Sequence, residues 1–210
     1  MLRGRSGGEP LPAWQSPIRV RSSGVHRSLL LGLLGRYRER YVEERAQVDR
    51  FVEFVERRPD CFERSCLEGH VTGSAWIVSG DRRDVLLLHH AKLDRWLQPG
   101  GHADGQFDPL AVALREAREE SGIEEFEVLP SGADPMPLDI DIHAIPARGE
   151  EPEHFHFDVR YLLIAAPNAV FSASEEALDM RWVPSARVPS VSDEESLLRM
   201  WRKARVQLQA

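Results

Sequence analysis

The order of its strand-like and helical runs constrains the fold of this chain more than any other feature. Six apolar runs with the character of strands follow position 69, and turn-forming residues separate them. They are HVTGSAWIVSG, DVLLLHHA, FEVLP, LDIDIHAI, HFHFDVRYLLIAA and MRWVP. One helical run interrupts them after the second strand, and another follows the last strand. This order predicts a mixed α/β fold in which helices and a sheet pack as layers.

Composition divides the chain into three parts. Residues 1–27 are rich in Gly, Ser, Pro and Arg without periodicity, so a mobile tail is expected. Residues 28–60 place apolar side chains at helical steps among Arg and Glu, which predicts an N-terminal helical extension of one or two helices. Arg45 interrupts the apolar stripe and argues against a coiled coil. Residues 61–210 contain the strand runs and are expected to form the main domain.

Charge, apolar runs and cysteines exclude several classes of protein. A net charge of −7 and a pI near 5.6 argue against a nucleic-acid binder, which usually has a basic surface. The apolar run 29–34 is far shorter than the ~20 residues of a membrane span, and no cleavage site follows it, so neither a membrane segment nor a signal peptide is expected. Cys61 and Cys66 are too few for a disulfide framework; reduced thiols are expected, which favours a cytoplasmic location.

Signals for a helix start and a helix stop surround the segment LREAREESGI, residues 114–123. Asp108 can cap the free amides at the start, and Pro109 is favoured at the first helical position. Gly122 is the expected left-handed residue at the end. At the C-terminal end of the chain, Ser192 and Glu195 have the spacing of a capping box, which predicts the start of the last helix.

The central helix is predicted to have an apolar side and an acidic side. Three apolar residues should face the core: Leu110, Leu114 and Ala117. Three glutamates lie roughly opposite: Glu116, Glu119 and Glu120. A solvated acidic face is one explanation of this pattern. A divalent metal is the other, because Arg115 and Arg118 screen the repulsion only in part and Mg²⁺ prefers oxygen ligands shared with substrate phosphates.

The segment from Gly101 to Ile123 resembles the Nudix box, G-x5-E-x7-R-E-U-x-E-E-x-G-U, in which U is aliphatic. Gly101 matches the first glycine, and the second half of the motif is in register at Arg115-Glu116-Ala117, Glu119-Glu120 and Gly122-Ile123. The resemblance implies a Nudix-type α/β/α sandwich with a mixed β-sheet. It also implies a pyrophosphohydrolase. Phe107 departs from the motif because it stands at the first glutamate, and Asp104 and Asp108 flank it as candidates to replace that carboxylate.

The resemblance also implies roles for individual residues. The metal ligands would be the Gly101 carbonyl and the carboxylates of Glu116, Glu119 and Glu120. Glu119 or Glu120 would act as the catalytic base, and Arg115 would orient the site. Mg²⁺ would be the cofactor, with Mn²⁺ able to substitute. A nucleotide-type small molecule containing a diphosphate would be the substrate, and a homodimer is a further expectation because dimers are frequent among similar proteins.

Histidines near the predicted site are candidates for substrate binding. The run HFHFDVRY alternates strictly, so His154, His156 and Asp158 share one strand face. His102 follows the paired glycines, and Glu151 lies in the acidic loop 148–154. These four are candidate substrate-binding residues: His102, His154, His156 and Glu151. The histidines would lie near the substrate phosphates, and the resemblance implies that a carboxylate of the acidic loop could act as a further metal ligand or base. A surface strand and a solvated loop are the structural explanations of the same residues.

Two other functions remain open at the level of sequence. A Nudix-like domain without turnover would serve as a nucleotide sensor or interaction module, which Phe107 and the N-terminal extension favour. An isomerase of isoprenoid diphosphates would require a cysteine in its pocket, and Cys61 and Cys66 both precede the first strand of the main domain.

Overall fold

Two helices precede the sheet in the computed structural model, which describes residues 25–91, 94–133, 135–149, 151–173 and 177–209. Helix α1 spans Val25–Arg40 and helix α2 spans Arg45–Arg57, with a 3-10 turn at Val42–Glu44 between them. The first 24 residues of the predicted tail lie outside the described residues. Its last three residues already belong to α1, so the helical extension begins earlier than predicted.

The described residues contain eight strands that form one mixed sheet, with β1 and β7 at its centre. The strands are β1 Gly69–Val78, β2 Asp84–His90, β3 Arg95–Leu97, β4 Gly100–His102, β5 Phe126–Leu129, β6 Asp139–Ile145, β7 His154–Ala165 and β8 Ala177–Pro184. The order is β3-β2-β1-β7-β5, with β4 beside β1, β6 beside β7 and β8 beside β2. All six predicted strand runs are present, whereas β3 and β4 were not predicted.

The central strands bring distant segments of sequence into contact. β1 and β7 run parallel, from the pair Gly69–Phe155 to the pair Val78–Ile164. β1 pairs with β2 only at Val78–Val85, and its other half pairs with β4 at Thr72–Ser74. The glycine-rich loop is thereby fixed against the middle of the sheet.

Helices cover both faces of the sheet and form two apolar cores. Side chains of β1 alternate between them: Ala75 and Ile77 join α1, α2 and α3 (Pro109–Ser121), and Trp76 and Val78 join α5 (Glu195–Gln209). On the first face, the ring of Phe54 in α2 stacks on Phe157 at 3.7 Å between centroids. The architecture is therefore the predicted α/β/α sandwich with a mixed sheet.

Helix α3 begins and ends where the sequence signals placed it. The Asp108 side chain accepts a hydrogen bond from the Leu110 amide at 3.0 Å, and Pro109 is the first helical residue. Gly122 caps the end with a left-handed φ of 68°. The predicted caps therefore set both ends of this helix.

The buried face of α3 is rotated from the predicted one. Five residues are buried: Pro109, Val112, Ala113, Ala117 and Ser121. Leu110 and Leu114, which were expected to face the core, are only half-buried. The cause is Gly73 on β1, since a Cβ there would lie 2.7 Å from the Pro109 carbonyl oxygen and 2.8 Å from the Val112 Cβ. The bare backbone of Gly73 lets the helix approach along its smallest residues.

The predicted capping box at the start of α5 was wrong by two residues. A short helix, α4 (Val188–Val191), follows a 3-10 turn at Ser185–Arg187 and ends at Ser192. The Ser192 hydroxyl accepts a hydrogen bond from the Glu194 amide at 3.2 Å, and α5 begins only at Glu195. Ser192 therefore caps the end of α4, and the connection from Ser192 to Glu194 delays the start of α5.

A buried ionic network joins the N-terminal helices to the sheet and to α5. Lys203 of α5 contacts Asp139 of β6 at 2.7 Å and the Tyr37 hydroxyl of α1 at 2.6 Å. Arg160 of β7, which is fully buried, pairs with three aspartates: Asp139, Asp141 and Asp158. The network therefore connects three parts of the chain that are far apart in sequence.

Two further observations bear on the sequence-based expectations. Cys61 and Cys66 are both buried and free. Within the described ranges, no helix has the length and apolar character that crossing a membrane requires.

Candidate active site

A cavity of about 730 Å³ opens beside the glycine-rich loop. Its wall includes residues of β1, β4, α3, β6 and β7. The lining residues include Thr72, Gly101, Glu116, Glu120, His156 and Asp158. The cavity thus combines the predicted metal ligands with polar residues of the central strands.

The glycine-rich loop lies directly against two carboxylates of α3. A Cβ at Gly101 would be 2.4–2.5 Å from the carboxylate atoms of Glu116, so only glycine permits this approach. The Gly100 amide donates a hydrogen bond to Glu120 Oε2 at 2.9 Å. Backbone contacts therefore hold both carboxylates at the cavity wall.

The three glutamates of the helix occupy different environments. Glu116 has a side chain only 15% exposed, and Glu120 is half-buried. Glu119 is 63% exposed and lies at the rim of the cavity. The rotation of α3 toward Gly73 explains this difference, because the face that packs on β1 continues through Glu116 and Glu120.

Arg115 connects the helix to the loop. Its Nη2 donates to the His102 carbonyl oxygen at 2.6 Å and to Glu116 Oε1 at 2.5 Å, and its Nε lies 3.8 Å from Glu119. Burial raises the pKa of Glu116, and the adjacent Arg115 guanidinium opposes that rise. Because a carboxylate is costly to bury unless cations surround it, a further cation in the cavity would bind favourably beside Glu116.

Phe107 has packing partners in place of the carboxylate expected at its position. Its ring stacks on His26 of α1 at 3.9 Å and meets Phe62 edge-on at 5.3 Å. The two flanking aspartates are engaged elsewhere: Asp104 forms two hydrogen bonds to Arg64 at 2.6 and 2.7 Å, and Asp108 caps α3. Arg115 is held by the His102 carbonyl oxygen. At position 107, an aromatic contact with His26 of the N-terminal helix stands where the motif has a carboxylate.

Asp158 forms a polar wall of the cavity that sequence reasoning identified only in part. It is 1% exposed, and it accepts hydrogen bonds from the Thr72 and Ser74 hydroxyls at 2.8–2.9 Å and from Arg160 at 2.7 Å. The alternation of β7 placed Asp158 on this face, but the partners on β1 were missed. Only the parallel register, which pairs Thr72 with Asp158, brings them together.

The predicted substrate-binding residues separate into two groups. His102 and His156 line the cavity. His154 is buried, its Nδ1 lies 2.9 Å from the Pro152 carbonyl oxygen, and its Nε2 lies 3.8 Å from the exposed carboxylate of Glu151. Backbone hydrogen bonds of 2.8 and 3.0 Å join Arg148 to Glu151. Neither His154 nor Glu151 is among the residues that line the cavity.

A further histidine, His70 on β1, was not identified from the sequence. Its ring lies 4.9 Å from each of the rings of His102, His154 and His156. Burial is the main cause that lowers the pKa of His70 and of His102 to about 4 and that of His156 to about 2. These imidazoles are consequently neutral at neutral pH.

Comparison with known proteins identifies the family and the fold. The sequence matches the NUDIX domain over residues 69–202, which is more than half of the chain. The structure is similar to a C. elegans Ap4A hydrolase determined as a binary complex, with 19% identity, a TM-score of 0.53, and coverage of 66% of this chain and 97% of that one. It is also similar to RenU, a Nudix hydrolase from M. smegmatis, with 19% identity, a TM-score of 0.50, and coverage of 67% and 87%. No curated protein matches the sequence significantly.

The fold and the family match define the class of the protein. The chain belongs to the NUDIX family, and it is a hydrolase of phosphoric anhydride bonds. The two solved structures show the same fold at low identity, and the family match runs from β1 to about the middle of α5.

Proposed function

We propose that this chain is a Mg²⁺-dependent hydrolase that cleaves the diphosphate linkage of a nucleoside diphosphate joined to a second group. The observation that carries the proposal is the placement of Glu116 and Glu120 against the Gly100–Gly101 backbone at the cavity wall. A cation between loop and helix would explain why Gly101 leaves room for the Glu116 carboxylate and why Glu120 is held at the same wall.

Hard oxygen donors at this wall fit magnesium. Glu116 and Glu120 would hold the ion together with the Gly101 carbonyl, and Glu119 would complete the set from the rim. Magnesium would supply charge to the substrate phosphates and acidify a water molecule, and Mn²⁺ would substitute because it accepts the same ligands. Arg115 would keep Glu116 and the loop in register through its bonds to both.

The general base is assigned to Glu120, with Glu119 as the second candidate. The Gly100 amide fixes the Glu120 carboxylate at the cavity wall, whereas Glu119 is held only by a 3.8 Å contact to Arg115. A water molecule attacks one phosphorus, its proton passes to the carboxylate, and the anhydride P–O bond breaks to release the second phosphate. Arg64 and Arg115, which also line the cavity, would stabilise the charge on the phosphate oxygens.

A nucleotide fits the size and the lining of the cavity. Its volume of about 730 Å³ lies within the range of small-molecule sites. Apolar side chains of Leu88, Leu97 and Ile145 line it together with the polar residues and would contact a base or sugar. The C. elegans relative is an Ap4A hydrolase, which makes dinucleoside polyphosphates one class to assay first. The buried, free thiols of Cys61 and Cys66 support a cytoplasmic setting.

Glu120→Gln tests the proposal. A set of dinucleoside polyphosphates, nucleoside diphosphate sugars and nucleoside triphosphates is assayed with Mg²⁺ for release of nucleotide or phosphate. The variant should lower kcat by about 10²–10⁴-fold, the usual contribution of a general base. Glu124→Gln is the matched control, because it removes the same charge just beyond the helix, where the side chain is exposed. An unchanged rate in Glu120→Gln, or binding of nucleotides that all stay intact in the unmodified protein, contradicts the proposal.

A further inference from the structure

Three histidines from three different strands converge at one end of the cavity. His70 is the second residue of β1, His102 is the last residue of β4, and His156 lies in β7. The parallel register pairs His70 directly with His156, and the β1–β4 register places His102 opposite Thr72, two residues along from His70. The convergence is thus fixed by the hydrogen bonding of the sheet.

The ring nitrogens of this histidine trio have the spacing of a metal-binding group. One ligand nitrogen from each residue lies within 4.8 Å of the other two, and the three ring centroids are 4.9 Å apart in each pair. Nitrogens that share one Zn²⁺ ion at about 2.0–2.1 Å in a tetrahedral site are roughly 3.3 Å apart. Small side-chain rotations would therefore bring all three onto one ion. In the part of the chain that the structure describes, no other group of three or more His, Cys, Asp or Glu residues converges in this way.

Buried nitrogens without a hydrogen-bond partner are a second, independent indication of a ligand. Both ring nitrogens of His70 are buried and unpaired, and His70 is only 2% exposed. His156 Nε2 and His154 Nε2 are buried and unpaired as well. Buried polar atoms are nearly always satisfied in folded proteins, so the unpaired nitrogens of His70 and His156 indicate a missing partner.

We propose that His70, His102 and His156 bind one divalent transition-metal ion of the Zn²⁺ class, at a site separate from the proposed magnesium site. Imidazole nitrogen suits Zn²⁺ and related ions, whereas carboxylate oxygens suit Mg²⁺, so one cavity can hold both kinds of ion. The neutral imidazole is the form that coordinates a metal. Three protein ligands leave a fourth position for water, for His154 or for a phosphate oxygen.

The surroundings of the trio match those of a metal site. The Pro152 carbonyl oxygen holds His154 Nδ1 at 2.9 Å, and the His154 ring lies 4.9 Å from that of His70. The His143 ring borders that of His156 at 5.3 Å, and its Nδ1 lies 3.0 Å from Asp141. Because the His102 carbonyl also accepts Arg115, an ion here would tie the glycine-rich loop to the centre of the sheet.

Metal binding is measured on the full-length protein after chelator treatment, with excess Mg²⁺ present to occupy the carboxylates. Titration with Zn²⁺, and with Co²⁺ read by its visible absorption, should give one tight equivalent with nitrogen ligands. His70→Asn and His102→Asn should each weaken binding by at least about 100-fold, since loss of even an outer partner commonly costs 10- to 100-fold. His89→Asn, which removes a histidine of β2 outside the trio, should leave the affinity unchanged. Circular dichroism and Tm without metal verify that the variants fold.

The carboxylate variant separates this site from the proposed magnesium site. Glu116→Gln together with Glu120→Gln should retain the tight Zn²⁺ equivalent, even where hydrolysis is lost. Three results would overturn the proposal: no tight equivalent in the unmodified protein, an affinity in His70→Asn and His102→Asn that is unchanged from that of the unmodified protein, or loss of the equivalent in the carboxylate variant alone. His102→Asn keeps the test decisive if His70→Asn does not fold, because His102 is the less buried of the two.

Discussion

The missing side chain of Gly101 lets the backbone of the loop lie against the carboxylate of Glu116. A Cβ added there would meet only the far end of the Glu116 side chain, at 2.4–2.5 Å. That side chain is flexible and can move aside at little cost to the fold. Gly101 therefore contributes to the site without being required for the packing of the core.

Gly101→Ala should weaken Mg²⁺ binding and lower kcat/KM by tenfold or more, because the Glu116 carboxylate must leave the loop. The Tm should stay within a few degrees of the original value, since no backbone atom is among the closest contacts. Kinetics over a range of Mg²⁺ concentrations and a thermal melt measure the two quantities. Gly35→Ala in α1, where a Cβ meets nothing within 4 Å, is the control and should keep full activity. Equal Mg²⁺ dependence in Gly101→Ala and the original protein would count against this role.

Individual residues at the cavity could be predicted from the sequence where they belong to a motif with fixed spacing. The box spacing identified Gly101, Glu116 and Glu120, and the structure brings these three to one cavity wall. His70 could not be identified in this way, because its role depends on which strand lies beside β1. The Phe107 contact with His26 likewise depends on the docking of α1, which no local pattern specifies.

The packing of α3 on β1 depends on Gly73. In contrast to Gly101, a Cβ at Gly73 would meet the backbone atoms of Pro109 and Ala113 at 2.7 and 2.9 Å. Backbone atoms cannot rotate away, so the whole helix would have to shift. A side chain at Gly101 would therefore disturb the site, whereas a side chain at Gly73 would disturb the docking of helix α3 on the sheet.

Gly73→Ala should destabilise the fold by about 1–3 kcal/mol, the usual cost of overpacking a tight contact. Urea unfolding measures the free energy, and Gly35→Ala is again the matched control. An exposed helical glycine replaced by alanine should gain up to about 1 kcal/mol instead. A Gly73→Ala variant as stable as the original protein would show that α3 does not approach β1 as closely as described.

The ends of α3 were predicted better than its orientation. Its limits depend on neighbouring residues in sequence, namely the Asp108 cap, Pro109 and Gly122. Its rotation depends on Gly73, which is distant in sequence. The same reasoning applies to β3 and β4, since strands of three residues carry too little periodicity to be recognised before their partners are known.

The ionic network centred on Arg160 connects the sheet, helix α5 and helix α1. Arg160 is buried with three aspartates, and Arg199 and Lys203 of α5 supply two more cations to the same group. Removing one partner from such a group leaves buried charge without compensation. The layered fold was predictable from the order of the runs, but this network was not, because its members come from β6, β7, α5 and the N-terminal helices.

Arg160→Met should reduce the free energy of unfolding by about 3–5 kcal/mol, the typical cost of breaking a buried ion pair. Arg202→Met is the matched control: Arg202 pairs with Glu195 at the surface, where both side chains are more than half exposed. Exposed pairs contribute about 0–1 kcal/mol. Similar unfolding midpoints in urea for the two variants would refute the assignment of stability to the network.

The network should also make the fold sensitive to acid. Burial opposes ionisation of Asp141, but the hydrogen bond from His143 and the charges of Arg160 and Arg199 outweigh it and hold its pKa well below the usual range. A lowered pKa in the folded state gives stability that is complete above the unfolded pKa of about 3.9 and is lost as the pH falls below it. Urea unfolding at a series of pH values from about 6 down to about 3 should show this loss. Asp141→Asn should reduce the slope below about pH 4, and an unchanged slope would contradict the assignment.

Anomalous diffraction from crystals grown with Mn²⁺ and a non-hydrolysable dinucleotide tests the metal-dependent hydrolase most directly. The placement of Glu116, Glu120 and the Gly101 carbonyl predicts a manganese peak between the loop and α3, in contact with phosphate oxygens of the ligand. A dinucleotide bound in the cavity with no manganese beside these two carboxylates would contradict the proposed reaction.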